Sequence, residues 1–195
     1  VHGVSHLLIV SRSGPAAPGA GALADDLARL GAKVTITACD TADRQALAAL
    51  LAAIPDEHPL TGVVHTAGAL DDSLIPVLSP EQLAGVLRPK VDAAWNLHEL
   101  TAGHDLSAFV LFSSIAGVVG GPGQSSYAAA NVFLDALAAH RADQGLAATS
   151  LAWGLWDSAQ GMGGHLSAAD LKRIARTGLL PVTEEDGPRL LDTAL

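Results

Sequence analysis

Two hydrophobic patterns alternate along the chain. Short apolar runs rich in β-branched residues lie at about residues 5–11, 33–38, 61–66, 107–113 and 146–153. Longer stretches with helical spacing of apolar positions lie at about residues 20–30, 42–54, 79–101 and 124–143. Gly31 is placed to end the first helix, and Asp40 or Thr41 to begin the second. The alternation predicts an α/β, Rossmann-like fold, a doubly wound parallel sheet with helices on both faces.

The pattern changes after Trp153. Residues 154–167 are rich in Gly, with Ser, Asp and Gln, which predicts a loop. Two short helices are predicted at about 168–177 and 183–194. No linker-like composition divides the chain, so residues 1–195 are predicted to form one domain. Because a strand begins near Val1 and a helix is cut at Leu195, we expect this domain to be incomplete at both ends.

The composition excludes some functions. With 195 residues, 49% of them hydrophobic, the chain is long enough to bury a core. A formal charge of −9 and the absence of a basic cluster argue against nucleic-acid binding. The single cysteine, Cys39, excludes an intrachain disulfide and is expected to be a small buried side chain in a reducing compartment. No membrane span or signal sequence is visible, so a cytoplasmic protein is predicted.

A glycine pattern imitates a dinucleotide fingerprint. Gly19, Gly21 and Ala24 match G-x-G-x-x-A, but residues 11–18, with two prolines, separate them from the preceding strand. The fingerprint needs a tight turn directly after the strand, so we reject it. Arg12 instead follows a strand that is interpreted as the second of the sheet, where an arginine accommodates the 2′-phosphate of NADP. The true glycine loop is then expected before Val1; a solvated loop cation is the alternative for Arg12.

Four polar residues are candidates for chemistry. Tyr127 and Asn131 lie one helical turn apart, so their side chains share a helix face. They are either a proton-handling pair or two polar residues facing water. Ser114 closes an apolar run, at the strand edge where ligands bind in open α/β sheets. Lys90, from the preceding helix, is by itself better explained as a surface cation.

Together these motifs resemble the short-chain dehydrogenase/reductase superfamily, and within it the ketoreductase domains of modular polyketide synthases. Most members of the superfamily carry Tyr-x-x-x-Lys. These ketoreductases have Asn in the lysine's position and take the lysine from the preceding helix, as Asn131 and Lys90 stand here. The resemblance covers nearly the whole chain. Its segments are residues 11–14 (Ser-Arg-Ser-Gly), 39–40 (Cys-Asp), 65–68 (His-Thr-Ala-Gly), 89–91 (Pro-Lys-Val), 112–117 (Phe-Ser-Ser-Ile-Ala-Gly), 127–131 (Tyr-Ala-Ala-Ala-Asn) and 152–154 (Ala-Trp-Gly).

The resemblance implies a role for each candidate. Tyr127 would donate the proton and Ser114 would hold the carbonyl oxygen. The Lys90 ammonium would favour the ionised phenol, with the nicotinamide ribose as a second partner, and Asn131 would orient water or side chains in a proton relay. NADPH would supply the hydride. The implied cofactor-binding residues are Ser11 and Arg12 (2′-phosphate), Asp40 (adenine), Ala67 and Gly68 (ribose and pyrophosphate), and also Thr41, Lys90 and Tyr127.

The resemblance also implies a stereochemical type. The Leu-Asp-Asp segment at 70–72, which the pattern alone would make a solvated acidic turn, resembles the mark of B-type ketoreductases, which give the D-configured β-hydroxyl. Val119 stands where A-type enzymes have tryptophan, and Pro122 fits the B-type. Ser126 departs from the asparagine often found before the tyrosine. The residues assigned to stereocontrol are Leu70, Asp71, Asp72 and Pro122.

Residues 154–178 match the family's substrate lid, in which Trp156, Met162 and Leu166 either contact the acyl chain or pack the lid. His65 is better explained as a packed core residue than as a ligand, and no residue cluster suggests a metal.

The implied substrate is a β-ketoacyl chain on the phosphopantetheine of an acyl carrier protein. Other domains of the synthase would be partners, including the upstream structural part of the ketoreductase, without which we expect no tight NADPH binding. The alternatives are a redox-inactive structural module and a free-standing reductase. Intact Lys90, Ser114, Tyr127 and Asn131 count against the first, and Asn131 counts against the second.

Overall fold

The computed structural model describes residues 3–157, 178 and 180–195. The chain divides into two compact units. The first comprises Val1–Leu60 and Asp92–Asp105, and the second comprises Thr61–Val91 and Leu106–Leu195. Each unit has its own parallel sheet, so the predicted parallel α/β class is confirmed.

The first unit is built on two parallel strands, β1 and β2. Their register runs from His6 opposite Lys33 to Ser11 opposite Ala38. A short 3₁₀ turn lies between β1 and α1. The bounds are β1 His6–Ser11, 3₁₀ turn Gly14–Ala16, α1 Ala20–Arg29, β2 Lys33–Ala38, α2 Arg44–Ala52 and α4 Val91–Leu100, of which Val91 falls in the second unit.

The helix caps of this unit agree only in part with the prediction. Gly31 ends α1 as expected, with a φ of 90° that glycine adopts without steric cost. The cap of α2, however, is Asp43, whose carboxylate accepts hydrogen bonds from the amides of Gln45 and Ala46. Asp40 and Thr41 lie too early, because the helix begins only at Arg44.

The second unit contains three parallel strands in the order β3-β4-β5. The central strand β4 and the long helix α6 contribute most of its apolar core. The buried side chains include Phe109, Val110, Leu111, Ala130, Leu134 and Leu137. The bounds are β3 Gly62–His65, 3₁₀ turn Ile75–Val77, α3 Pro80–Leu87, β4 Ala108–Ser114, α5 Ala116–Val119, α6 Ser125–Asp143, β5 Thr149–Trp153 and α7 Asp186–Ala194.

The single helix predicted at 79–101 is two helices. α3 ends at Leu87 and α4 begins at Val91. Pro89 lies in the break, where it has no amide hydrogen to continue the helical ladder. Lys90 therefore stands between two helices rather than on the face of one, which gives its side chain a direction that a continuous helix would not.

Three smaller points differ from the prediction or lie beyond the described residues. The fifth strand begins at Thr149 instead of 146, and Cys39 is half-buried rather than fully buried. The helix predicted at 168–177 and the lid residues Met162 and Leu166 lie outside the described residues. Within the described ranges, no helix combines the length and apolar character that a membrane crossing requires.

Candidate active site

Lys90 is a buried residue of the second unit. Only 3% of it is exposed, and its Nζ donates a hydrogen bond of 2.8 Å to the carbonyl oxygen of Phe112 in β4. The same Nζ lies 5.8 Å from the centre of the Tyr127 ring. The expectation from Lys90 alone, a surface cation, is therefore wrong. The break at Pro89 lets the side chain reach the central strand and the start of α6.

Burial changes the protonation of Lys90 and of His65, the last residue of β3. Loss of hydration lowers the pKa of Lys90 from 10.5 to about 8, and the negative charge of Asp135 partly opposes this. Burial first, and then the positive charge of Lys90, lower the pKa of His65 to about 4. His65 is thus a neutral, buried residue, and among the described residues its Nε2 has no hydrogen-bond partner.

Tyr127 lies in the first turn of α6 and Asn131 in the second. Asn131 is fully buried, so the alternative in which both residues face water does not hold for it. Its Nδ2 donates to the backbone oxygen of Tyr127 at 2.8 Å, and its own backbone oxygen accepts from Ser113 Oγ at 3.2 Å. The Asn131 Oδ1 is buried without a hydrogen-bond partner in the described part of the chain. A polar atom in that position is a candidate for binding water.

Ser114 is the last residue of β4 and pairs with Trp153 of β5. Its Oγ accepts a hydrogen bond of 3.2 Å from the amide of Ala116. A hydroxyl that accepts in this way keeps its own hydrogen for donation. Ser114 follows Phe112, the Lys90 acceptor, by two residues, so both lie on the half of β4 nearest its carboxyl end. The adjacent Ser113 is buried and bonded to α6.

The Leu-Asp-Asp segment is hydrogen-bonded on two sides. The Asp71 carboxylate accepts from Gln82 Nε2 at 2.9 Å, and the Asp72 carboxylate accepts from Gln124 Nε2 at 3.2 Å. The amide of Ser73 also donates to Gly123 O at 2.9 Å. The carboxylates are exposed, as a solvated turn requires, but this turn is tied to both α3 and the loop before α6. Leu70 is half-buried, and Pro122 is exposed beside Gly123.

The residues implied in cofactor binding are divided between the units. Ala67 and Gly68 follow β3 in the second unit. The first unit contains the remaining non-catalytic candidates, Ser11, Arg12, Asp40 and Thr41. Arg12 is exposed directly after β1. An exposed guanidinium at a strand end fits a phosphate group.

The other first-unit residues already have local contacts. Ser11 Oγ accepts from the amide of Gly14 at 2.9 Å, and Asp40 Oδ1 accepts from Ala42 N at 3.0 Å. Thr41 contributes its backbone oxygen to Asn96 Nδ2 at 3.2 Å. These bonds shape two turns at the carboxyl ends of β1 and β2, the sheet edge at which nucleotides bind in open α/β folds.

The glycine pattern at 19–24 lacks the geometry of a fingerprint. The 3₁₀ turn Gly14–Ala16 separates it from β1, and a Cβ added to Gly21 would meet no atom within 4 Å. The tight position is Gly14 instead, where a Cβ would lie 2.4 Å from Ala38 N and φ is +49°. This explains why glycine stands at position 14, three residues after the end of β1.

Sequence reasoning missed three polar contacts at this site. Asp135 lies one turn beyond Asn131 and accepts a 2.5 Å hydrogen bond from Ser150 Oγ in β5. Gln82 and Gln124 hold the Leu-Asp-Asp segment. The spacing from Asn131 to Asp135 and the Ser79-x-x-Gln82 capping pattern were visible signals, but neither spacing names a partner distant in sequence.

A parallel α/β fold that combines a helix-start tyrosine, a buried lysine and a strand-end serine is of the short-chain dehydrogenase/reductase type. The sequence profile of the KR domain matches residues 1–158 of this chain. The chain therefore belongs to the KR domain family, the ketoreductase domains of polyketide synthases, whose members are oxidoreductases. Within the described residues no group of three or more His, Cys, Asp or Glu side chains could hold a metal ion.

Curated relatives are much longer than this chain. Polyketide synthase GfsB of Streptomyces halstedii is 64% identical over 194 residues, which is 100% of this chain and 4% of that protein. Mycoketide-CoA synthase of Mycobacterium tuberculosis is 58% identical over 194 residues, 100% of this chain and 5% of that protein. The chain thus spans a small fraction of the length of these relatives.

Solved structures show the same fold. A structure of A-type ketoreductases from a modular polyketide synthase has a TM-score of 0.90 and 50% identity, and the match covers 96% of this chain and 39% of that one. The first ketoreductase of the tylosin polyketide synthase has a TM-score of 0.84 and 47% identity, over 96% of this chain and 40% of that one.

Proposed function

We propose that this chain carries the catalytic residues of an NADPH-dependent β-ketoacyl reductase. Its substrate is a β-ketoacyl chain tethered through phosphopantetheine to an acyl carrier protein, and its product is the β-hydroxyl. It works inside a cytoplasmic polyketide synthase, with the other domains and the upstream structural part of the ketoreductase as partners. The observation that carries this proposal is the buried Lys90 with its Nζ 5.8 Å from the Tyr127 ring, while Asn131 fills the helix position four residues after the tyrosine.

The roles follow from the charge that develops in the reaction. NADPH, when bound, supplies the hydride that adds to the carbonyl carbon. The carbonyl oxygen gains negative charge at that moment, and Tyr127 transfers its phenolic proton to it. Ser114 stabilises the same oxygen with a hydrogen bond. The cofactor would be held by Ser11, Arg12, Asp40, Thr41, Ala67 and Gly68, together with Lys90 and Tyr127.

Lys90 and Asn131 support the proton transfer. An ammonium close to the phenol stabilises the phenolate that remains after the proton has left. The Asn131 Nδ2 donates to the backbone oxygen of Tyr127 and so supports the first turn of α6, and the buried Asn131 Oδ1 would orient a water that returns the proton. Because Asn131 is neutral, Lys90 would be the residue that supplies the positive charge near the Tyr127 phenol.

We further propose the B-type, with a D-configured product. Leu70, Asp71, Asp72 and Pro122, and Val119 in the place of the A-type tryptophan, support it; Ser126 does not. Because the chain is also 50% identical to a ketoreductase described as A-type, overall similarity does not distinguish the types, and the B-type assignment is based on these few positions. Reduction of a diketide thioester by the complete ketoreductase, with the product separated by chiral chromatography, tests this. Mainly L-configured product would overturn the B-type assignment and leave the reductase activity standing.

The catalytic proposal is tested by Tyr127→Phe, which removes only the phenolic oxygen. In the complete ketoreductase, upstream structural part included, we expect kcat to fall about 10²–10⁴-fold, the contribution of a general acid, while NADPH binding measured by fluorescence titration is largely retained through the other cofactor-binding residues. Neighbouring serines provide a matched pair. Ser114→Ala should lower kcat about 10²-fold or more, as loss of an oxyanion donor does, and Ser113→Ala should have a much smaller effect.

Undiminished turnover in the Tyr127→Phe protein would sink this mechanism. A wild-type protein that binds NADPH and reduces no β-ketoacyl thioester would instead favour the redox-inactive module.

A further inference from the structure

Gln82, in the first turn of α3, uses both ends of its amide group. Its Oε1 accepts from the Ser79 amide at 3.1 Å, and its backbone amide donates to Ser79 Oγ at 3.2 Å. These two bonds form a complete capping box. The Nε2 of the same side chain then donates to Asp71 Oδ1 at 2.9 Å. Gln82 thus completes the N-terminal cap of α3 and also holds the Leu-Asp-Asp segment.

We propose that Gln82 is a positioning residue that sets the orientation of the Leu-Asp-Asp segment, and through it the face of the ketone that is reduced. This inference rests on the proposed function. It concerns a residue outside the segment itself, on the helix that leads to Lys90.

Glutamine is suited to this double task by its chemistry. In a capping box, glutamate serves as well as glutamine, because only an acceptor is required. The Asp71 carboxylate is itself an acceptor, however, and needs a donor opposite it. Only the amide supplies an acceptor for Ser79 and a donor for Asp71 from one side chain.

The segment has little apolar packing to hold it in place. Leu74, Ile75 and Val77, which connect it to α3, are 64%, 73% and 72% exposed. Its fixed points are polar: Gln82 on the side of α3, and Gln124 with Gly123 O on the side of α6. Lys90 follows α3 by three residues, and Tyr127 lies in the first turn of α6. We therefore infer that these bonds orient the segment relative to Lys90 and Tyr127.

The decisive variant is Gln82→Glu in the complete ketoreductase, with its upstream structural part. It keeps the acceptor of the capping box, removes the donor to Asp71 and places a second negative charge there. Ser79→Ala is the matched control, since it weakens the cap and leaves the bond from Gln82 Nε2 to Asp71. The double variant Gln82→Glu with Asp71→Asn reverses donor and acceptor and should restore the bond.

Two readouts are needed: the ratio of D- to L-hydroxyl product from a diketide thioester, and amide hydrogen exchange at residues 70–74. In Gln82→Glu we expect the ratio to fall about fivefold, the equivalent of one hydrogen bond, and exchange to accelerate by a similar factor. The double variant should recover the slow exchange, which reports on the restored bond; its product ratio is not used, because Asp71 is itself assigned to stereocontrol. Ser79→Ala should lower the melting temperature and leave both readouts near wild type.

An unchanged ratio and unchanged exchange in Gln82→Glu would overturn the inference. It would also be overturned if Ser79→Ala changed both as much, because the cap and not the Asp71 bond would then be responsible. If the wild-type protein reduces no ketone, the proposed function fails, whereas the exchange measurement still decides whether Gln82 holds the segment. A wild-type L product would reverse only the sense of the expected change.

Discussion

Replacing Lys90 with methionine should change how the stability of the protein depends on pH. Lys90 is 3% exposed, and burial lowers its pKa from 10.5 to about 8. Below pH 8 the lysine is protonated in both the folded and the unfolded protein, and the folded protein bears the cost of a buried charge. Between pH 8 and 10.5 the folded protein has released the proton and the unfolded chain still binds it. Stability therefore rises with pH across this window.

The magnitude follows from the size of the shift. One pKa unit corresponds to 1.36 kcal/mol, so a pKa of about 8 implies about 3 kcal/mol in the free energy of unfolding. Methionine has a similar length and no titratable group. The free energy of unfolding of the wild type, minus that of Lys90→Met, should consequently increase by up to ~3 kcal/mol between pH 7 and pH 10.5.

Urea denaturation at several pH values, with the same buffer ions and ionic strength, measures this difference. Lys33→Met is the matched control, because it removes one ammonium from an exposed position on β2. A difference for Lys90→Met that is flat, or that falls as pH rises, would refute the reasoning. Lys90 would then be protonated normally despite its burial.

Three further substitutions provide two tests and one control. Gly187→Ala would place a Cβ 2.1 Å from the ring of Trp156, so we expect a loss of about 1–3 kcal/mol in stability by thermal denaturation. Gly21→Ala, with no atom within 4 Å of the added Cβ, should be neutral or stabilising in the same experiment. Asp135→Asn removes the charge that raises the pKa of Lys90 and should move the onset of the pH window below 8, whereas a window that stays in place would exclude this electrostatic role.

Local signals predicted local structure well. Gly31 ends α1 because a left-handed conformation after a helix favours glycine, and the alternating apolar runs gave every described strand within about three residues. Pro89 was an equally local signal for a helix break, and the prediction of one continuous helix at 79–101 did not use it. The cap of α2 was misplaced by a few residues, since the helix start depends on which of Asp40, Thr41 and Asp43 its first amides reach.

The candidate site shows a different division. Tyr127, Asn131 and Ser114 could be selected from spacing and from their position at a strand end. The burial of Lys90 could not, because it depends on Phe112 O, 22 residues away, and on the Tyr127 ring. The same is true of the bonds from Gln82 to Asp71 and from Gln124 to Asp72. The roles of all these residues in reduction stay predictions until they are tested.

The order of strands and helices and the set of candidate site residues could thus be predicted from the sequence alone. Hydrophobic periodicity and backbone sterics act over only a few residues, so they depend on residues that are neighbours in the sequence. The tertiary structure alone decided which side chains lose water and which distant atoms they meet. A lysine pKa near 8, a neutral histidine with a pKa near 4 and a fully buried asparagine are consequences of those long-range contacts. Hydration and electrostatic energies depend on surrounding atoms in space, which sequence spacing does not specify.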